Sequence, residues 1–217
     1  MKPTFLYHLL TLALLLCGMV MPSLQAQPYK NPSLSPEERT ADLLQRMTLE
    51  EKIAQIRHIH SWNIFEEQEL NKSKLQEFVG DLCWGFVEGF PLTGENCHRH
   101  MRHIQEYMLN HTRLGIPIFT VAEALHGSVH EGSTIYPQNI ALASTFNPEL
   151  AYLRATEISK ELHYQGINQI LAPCIDVVRD LRWWRIEESY GEDPYLNGIF
   201  AYKEAKGYLD NGISPLL

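Results

Sequence analysis

The chain of 217 residues contains only four cysteines, and no two of them are spaced as C-x-x-C. The sequence therefore lacks the common zinc-binding cysteine motif. Removal of the first 26 residues as a leader would take Cys17 away and leave Cys83, Cys97 and Cys174. This odd number excludes a full disulfide framework. Two alternatives stay open for Cys83 and Cys97, since they either pair in an exported protein or remain free and buried.

Positive charge is also scarce, because 18 Lys and Arg residues stand against 26 Asp and Glu residues. The formal net charge of -8 argues against nucleic acid and anionic membranes as partners, whereas a neutral sugar remains compatible. Apolar residues make up 45% of the chain and charged residues 20%, which is typical of a globular protein.

The N-terminus has the layout of a secretory signal peptide over residues 1 to 26. Lys2 precedes an apolar run from Leu9 to Val20, and Ala26 ends a plausible cleavage site. The run is too short for a comfortable membrane span, so we expect no integral span after processing. The leader predicts export to the periplasm or the extracellular space. A retained anchor and lipidation at Cys17 are the alternatives.

Capping residues and apolar periodicity predict the regular elements of the remaining chain. The predicted helices start at Pro36, Leu49, Glu95, Glu149 and Pro194, and the second one presents Leu49, Ile53 and Ile56 as its apolar face. Short apolar runs predict strands at residues 84 to 90, 116 to 121 and 167 to 178, the first of these being the first strand of the domain. The alternation of strands and helices predicts an α/β fold.

Eight short blocks occur in order between residues 113 and 196. They are Arg113-Leu-Gly-Ile-Pro117, Glu123-Ala-Leu-His-Gly127, Tyr136-Pro-Gln138, Gly166-Ile-Asn168, Ala172-Pro173, Arg179-Asp180, Arg182-Trp183 and Tyr190-Gly-Glu-Asp-Pro-Tyr-Leu196. Together they strongly resemble the N-terminal domain of glycoside hydrolase family 3, the family of β-glucosidases and β-xylosidases. The resemblance implies a TIM-type (β/α)8 barrel with its site at the carboxyl ends of the strands.

The resemblance also implies that the chain holds an incomplete barrel. The chain ends at Leu217, where the family has a Lys-His-Phe block, and a complete barrel needs about 250 residues. We therefore expect residues 27 to 217 to form only the N-terminal half of the barrel, with no catalytic residue of their own. The implied parent activity is retaining exo-hydrolysis of non-reducing terminal β-linked glucose or xylose from oligosaccharides. A non-catalytic sugar-binding remnant and an inert truncated gene product are the alternatives.

Two residues are expected to bind the sugar in the innermost subsite. Glu123 follows a predicted strand, so its carboxylate can accept hydrogen bonds from adjacent sugar hydroxyls. In the resemblance this position holds Asp in many β-glucosidases and Glu in many β-xylosidases. Arg185 matches the arginine that reaches the sugar, with a loop ion pair as the alternative. His126 and Trp183 are further candidates for sugar contact.

Other polar residues of this segment are expected to support the site or to serve the backbone. Arg179, Asp180, Arg182 and Glu192 are predicted to hold the site in place. Asp193 is predicted to cap a helix, and Glu187 and Glu188 to pair with neighbouring arginines rather than act as acid and base. The family usually has Pro and Gly where this chain has Leu181 and Trp184, so a large ring stands immediately before Arg185.

Four histidines, His98, His100, His103 and His111, invite a metal-binding interpretation. On a helix only His100 and His103 share a face, and no carboxylate stands at a matching offset. We therefore interpret them as solvated or capping histidines. We expect neither a metal site nor a cofactor.

Overall fold

A computed structural model of the chain describes residues 27–89 and 94–217. The predicted leader and Phe90 lie outside the described residues. Contacts within the chain define one compact unit that ends at Thr48 and a second that runs from Leu49 to Leu217. Among the residues described, no helix is both long enough and apolar enough to cross a membrane.

The described part of the first unit contains one helix, α1 (Pro36–Arg46), preceded by a 3-10 turn at Pro28–Lys30. The predicted capping box is confirmed. The Glu38 amide donates to Ser35 Oγ at 3.2 Å, and the Ser35 amide donates to the Glu38 carboxylate at 2.9 Å. Two of the amides that a helix start leaves unpaired are thereby satisfied.

The second unit alternates helices with short strands. Its helices are α2 (Leu49–Gln55), α3 (Ser61–Ile64), α4 (Lys72–Val79), α5 (Gly94–His111), α6 (Asn139–Ala143), α7 (Glu149–Gln165) and α8 (Pro194–Asp210). Its strands are β1 (His58–His60), β2 (Phe65–Glu66), β3 (Glu69–Leu70), β4 (Phe86–Glu88), β5 (Phe119–Ala122), β6 (Gln169–Ile170) and β7 (Ser214–Pro215). The predicted α/β alternation is confirmed.

Five of these strands form one parallel sheet in the order β1-β4-β5-β6-β7, while β2 and β3 pair as a separate antiparallel hairpin. The register is continuous, with Glu88 opposite both His60 and Val121, and Val121 opposite Gln169. Because all five strands run the same way, their carboxyl ends meet at one edge of the sheet. A polar residue that directly follows one of these strands therefore lies at that edge.

The core lies between the sheet and the helices that connect its strands. Ile59, Val87 and Ile170 on the strands are fully buried, as are Ile104 on α5 and Ile158 on α7. β1, β4, β5 and β6 each contribute an apolar side chain to this core, and alternation turns the neighbouring residues to the opposite face. Because these side chains occupy the core, only the residues on the opposite face of each strand or at its end can reach the site.

Two of the predicted strands were placed or extended wrongly. Residues 84 to 90 are not the first strand of the domain, because β1 (His58–His60) precedes β4 (Phe86–Glu88). The predicted strand at 167 to 178 pairs only at Gln169–Ile170. Beyond Ile170 the apolar residues Ala172 and Val178 are buried although their backbone is irregular. The run of apolar residues therefore looks like a strand in the sequence without being one.

The predicted apolar face of α2 is also wrong. Leu49, Ile53 and Ile56 are exposed by 68%, 46% and 79%, whereas Glu51 and Ala54 are buried. Glu51 is buried because Arg113 forms an ion pair with it, with Arg113 Nε 2.7 Å from Glu51 Oε1. A partner 62 positions away cannot be read from the local apolar pattern.

Cys83 and Cys97 are both free and buried, which decides between the two alternatives for this pair. Burial raises the pKa of the Cys97 thiol to about 12, so it stays protonated at neutral pH. Cys83 Sγ accepts a hydrogen bond from the Ile116 amide at 3.2 Å. Both cysteines thus act as small core residues.

The helices α7 and α8 pack closely at Gly207. A Cβ atom at Gly207 would lie 2.7 Å from the Tyr152 carbonyl oxygen and 2.8 Å from Ala155 Cβ. Neither atom belongs to a flexible side chain, so the helices would have to separate. Gly198, on the same helix, has no atom within 4 Å of the corresponding position.

We expect Gly207→Ala and Gly198→Ala to change the free energy of unfolding in opposite directions. The first should destabilise the chain by roughly 1–3 kcal/mol through overpacking. The second should stabilise it by up to about 1 kcal/mol, because alanine is the better helix former. Urea unfolding followed by circular dichroism measures both. Equal effects of the two substitutions would contradict the close helix packing.

Candidate active site at the carboxyl ends of the strands

A cavity of about 290 Å³ lies at the carboxyl ends of β1, β4 and β5. Its walls include His60, Trp62, Glu88, Glu123 and His130. The volume is at the small end of the range for ligand pockets, which is about 300–1,000 Å³. The cavity therefore suits one small ligand.

A larger groove of about 790 Å³ runs along α4 and α5, where Leu75, His103 and Tyr107 line it. It contains none of the residues predicted to bind sugar. Parallel α/β sheets bind their ligands at the carboxyl ends of the strands. We therefore take the smaller cavity as the candidate active site.

Glu123 stands directly after β5, and the backbone turns sharply behind it. Ala124 has a φ of 53°, and its carbonyl accepts a hydrogen bond from the buried Tyr208 hydroxyl at 3.2 Å. A left-handed conformation is unfavourable for a residue other than glycine, so the surrounding packing must hold it. Strand and turn together place Glu123 at the wall of the cavity.

Nearby charges of both signs act on the pKa of the Glu123 carboxyl. Partial burial raises its pKa, and the nearby Arg185 guanidinium lowers it. The carboxylates of Glu88 and Glu188 raise the pKa further. The structure thus brings the two predicted sugar ligands, Glu123 and Arg185, into one electrostatic neighbourhood.

Arg185 is held by an ion pair within its own loop. Its Nε atom donates to Glu188 Oε2 at 2.8 Å across the 3-10 turn Ile186–Glu188. The guanidinium carbon also lies 5.8 Å from the ring centre of Trp184, the residue that replaces the family's glycine. Trp184 is 79% exposed, so it does not displace Arg185 by packing in the core. Arg185 remains a predicted sugar ligand that also has a loop partner.

A buried polar network anchors this loop from below. Arg154 on α7 donates to Pro137 O at 2.9 Å and to Asn139 Oδ1 at 2.5 Å. Asn139 Nδ2 in turn donates to the Glu188 carbonyl at 2.6 Å. The backbone beside Arg185 is therefore tied to the core through two side chains.

The residues predicted to support the site lie mostly on the surface of the same loop. Asp180 accepts hydrogen bonds from the Arg182 amide and from Arg182 Nε, both at 2.9 Å. Arg179 and Glu192 are exposed. Asp193 caps α8, with its carboxylate accepting from the Leu196 amide at 2.7 Å. The cap is the role predicted for Asp193.

The wall of the cavity contains none of Arg185, His126 and Trp183. His126 Nδ1 is 3.2 Å from the Tyr136 carbonyl, which orients the loop between β5 and α6. Trp183 is half-buried and its amide donates to the Asp180 carbonyl at 3.1 Å. Sugar contact by either residue stays a prediction. The imidazoles that do line the cavity belong to His60 and His130, and the indole belongs to Trp62.

Three wall residues, His60, Trp62 and Glu88, were missed by the sequence analysis. They follow or end β1 and β4, and β1 itself was not predicted. The alternation of polar and apolar residues in His58–His60 is the signal that could have found them. His100, from the histidine group considered earlier, is buried against the Phe65 ring with centroids 5.1 Å apart.

Parallel strands that end at one cavity are the arrangement on which α/β-barrel enzymes build their sites. The model of the glycosyl hydrolase family 3 N terminal domain matches residues 48–216. The chain belongs to this family. Its parallel sheet with connecting helices agrees with the barrel domain implied by the sequence resemblance.

Known proteins similar to this chain are named as β-xylosidases and β-glucosidases. A putative β-xylosidase of Formosa agariphila is 34% identical over 193 residues, covering 86% of this chain and 25% of that protein. A periplasmic β-glucosidase of Salmonella typhimurium is 32% identical over 199 residues, covering 90% and 24%. This chain thus spans about a quarter of the length of the relatives it matches.

Solved structures show the same likeness. A β-glucosidase of Erythrobacter marinus superposes with a TM-score of 0.79 at 28% identity, covering 88% of this chain and 26% of that chain. A Listeria innocua β-glucosidase variant in complex with laminaribiose gives a TM-score of 0.67 at 28% identity, covering 84% and 26%. These comparisons confirm the α/β fold of the barrel type.

We expect Arg185→Met to raise the pKa of Glu123 further, because it removes the positive charge that lowers this pKa. Carbon-detected NMR titration of the glutamate carboxyls measures the change. Arg182→Met is the matched control, since Arg182 pairs with Asp180 and does not act on Glu123. A Glu123 pKa that is the same in both variants would show that Arg185 does not face Glu123.

Proposed function

We propose that this chain supplies the sugar-positioning part of an exported, retaining exo-glycoside hydrolase. The proposed substrates are oligosaccharides that end in β-linked xylose or glucose. The observation that carries the proposal is the carboxylate of Glu123, placed directly after β5 in a cavity sized for one small ligand. The names of the relatives support the same class of activity.

In the proposed reaction one carboxylate attacks the anomeric carbon while a protonated carboxyl group gives its proton to the leaving oxygen. Water then attacks the glycosyl-enzyme, the second group takes its proton, and the sugar leaves with its configuration retained. We assign neither carboxyl group to residues 27 to 217. Glu123 and Arg185 bind the hydroxyls of the terminal sugar and set its position for the attack.

Xylose is the sugar that Glu123 favours. The carboxylate is charged, so its hydrogen bonds to hydroxyls are stronger than those of a neutral acceptor. Glutamate reaches one methylene further into the cavity than aspartate, which leaves less room for the exocyclic CH₂OH of glucose. A Formosa agariphila β-xylosidase that is 44% identical over 90 residues also supports the choice of xylose.

Trp62 gives the cavity an apolar surface. Trp62 is 67% exposed and lies in the cavity wall, and its ring stacks on His60 with centroids 3.8 Å apart. Exposed aromatic faces suit the C–H faces of a pyranose while the ring edges stay in water. We propose that Trp62 packs against the sugar that Glu123 holds.

A binding and a turnover measurement separate this proposal from its two alternatives. We expect the full product of the gene to hydrolyse aryl β-xylosides, with Arg185→Met and Glu123→Ala both reducing kcat/KM. Sugar binding without any hydrolysis would support a non-catalytic sugar-binding protein instead. Absence of both binding and hydrolysis would support an inert gene product.

We expect Glu123→Asp to raise the ratio of glucoside to xyloside kcat/KM in the full gene product. One methylene in a packed site changes relative specificity by about 10- to 200-fold. Glu123→Ala should lower both rates, since the sugar hydroxyls and Arg185 lose their anionic neighbour. Steady-state kinetics with matched aryl glycosides measures the ratio.

The matched control is Glu157→Asp, which shortens an exposed glutamate that pairs with Lys160 on α7. It should leave the ratio unchanged. If Glu123→Asp and Glu123→Ala also left the ratio and both rates within about twofold, Glu123 would not contact the sugar.

A further inference from the structure

We infer that His58, His60 and Glu88 form a binding site for a divalent transition-metal ion of the Zn²⁺ class. Each of the three residues offers a ligand atom, and these atoms lie within 4.8 Å of one another. This is the only such group of histidine, cysteine and acidic side chains among residues 27–89 and 94–217. The inference does not depend on the proposed glycosidase activity.

The sheet itself assembles the three side chains. His58 and His60 are separated by one residue on β1, so they project from the same face of the strand. Ile59 between them is fully buried on the other face. Glu88 is the direct partner of His60 in the parallel register of β1 and β4. No loop has to move for the three groups to meet.

The distances between the donor atoms are close to those around a small metal ion. With Nδ1 as its ligand atom, His60 lies 3.0 Å from Glu88 Oε1, and His58 Nε2 lies 3.6 Å from the same oxygen. Zinc binds nitrogen and oxygen at about 2.0–2.2 Å, so two donors in a tetrahedral site are about 3.3–3.5 Å apart. Small rotations of the side chains would bring all three into that range.

One polar atom of the cluster has no hydrogen-bond partner within the described structure. The Nε2 atoms of the two histidines can share one proton, but His60 Nδ1 is buried and makes no hydrogen bond within the described structure. It lies near Glu88 Oε1 without the alignment that a hydrogen bond needs. A buried polar atom without a partner calls for an explanation such as a bound ion.

The surroundings hold the ligands in place. The Trp62 ring stacks on His60 with an interplanar angle of 14°, which limits rotation of the imidazole. The Ser61 hydroxyl donates to the Gly89 carbonyl and so ties together the segments that follow β1 and β4. Outer contacts of this kind orient metal ligands and sustain affinity.

The ligand types decide which ion fits. Two imidazoles and one carboxylate form a donor set that zinc uses with three protein ligands and one open position. Calcium and magnesium prefer oxygen ligands alone, so the two histidines disfavour them. His60 and Glu88 also line the cavity that contains Glu123, so the open position can take water or a hydroxyl group from that side.

The test is titration of the chain with Zn²⁺ and, separately, with Co²⁺. The protein should carry no histidine tag and should first be treated with a chelator, since a tag would bind the same ions. Calorimetry should give one Zn²⁺ per chain. The Co²⁺ complex should show the visible absorption of a four-coordinate ion bound by nitrogen and oxygen. It should lack the charge-transfer band of a thiolate ligand.

His58→Gln and Glu88→Gln should each weaken Zn²⁺ binding by about 100-fold or more, since even outer-shell substitutions cost about 10- to 100-fold. His98→Gln is the matched control, because His98 is exposed on α5 outside the cluster. Thermal melting without metal checks that every variant remains folded.

Four results would overturn the inference. They are the absence of Zn²⁺ binding to the folded chain, unchanged affinity in the folded His58→Gln and Glu88→Gln variants, an equal loss in His98→Gln, and a thiolate band in the Co²⁺ spectrum. Retention of one site that only the two cluster substitutions abolish would support it.

Discussion

A buried ion pair between Arg154 on α7 and Glu204 on α8 holds together the segments that carry the site. Both side chains are almost completely buried, and their terminal atoms are 2.5 Å apart. Burial raises the pKa of Glu204, and the Arg154 charge opposes that rise, so loss of Arg154 would leave the buried carboxyl without its compensating charge. The Tyr190 hydroxyl donates to the same carboxylate. Helix packing and loop position therefore depend on one set of contacts.

Local signals predicted the helix starts, whereas strands depended on contacts that no local signal carries. Ser35 and Asp193 satisfy amides three residues away, so their short-range chemistry is visible in the sequence. The three residues of β1 become a strand only because Phe86–Glu88 pairs with them. The reversed face of α2 has the same origin, since Glu51 is buried by its distant partner Arg113.

The residues of the candidate site could be predicted where they belong to a continuous sequence motif. They could not be predicted where side chains from two different strands meet. Glu123 and Arg185 could be found because they lie in recognisable blocks. His60 and Glu88 are 28 positions apart and meet through strand register, which requires the fold to be known. The ion pair between Arg185 and Glu188 spans only three residues, and it was anticipated as an alternative because charge and spacing suffice.

The turn behind Glu123 has a consequence for how the pocket can change. The residue follows β5 directly, and the left-handed Ala124 is fully buried and tied to Tyr208, so the backbone there has little freedom to shift. The reach of the carboxylate into the cavity then depends on the side chain and not on a shift of the backbone. An exchange of glutamate for aspartate would therefore withdraw the carboxylate by one methylene without a change in the backbone. Under the proposed function, this exchange alone would alter sugar preference while the rest of the barrel stays unchanged.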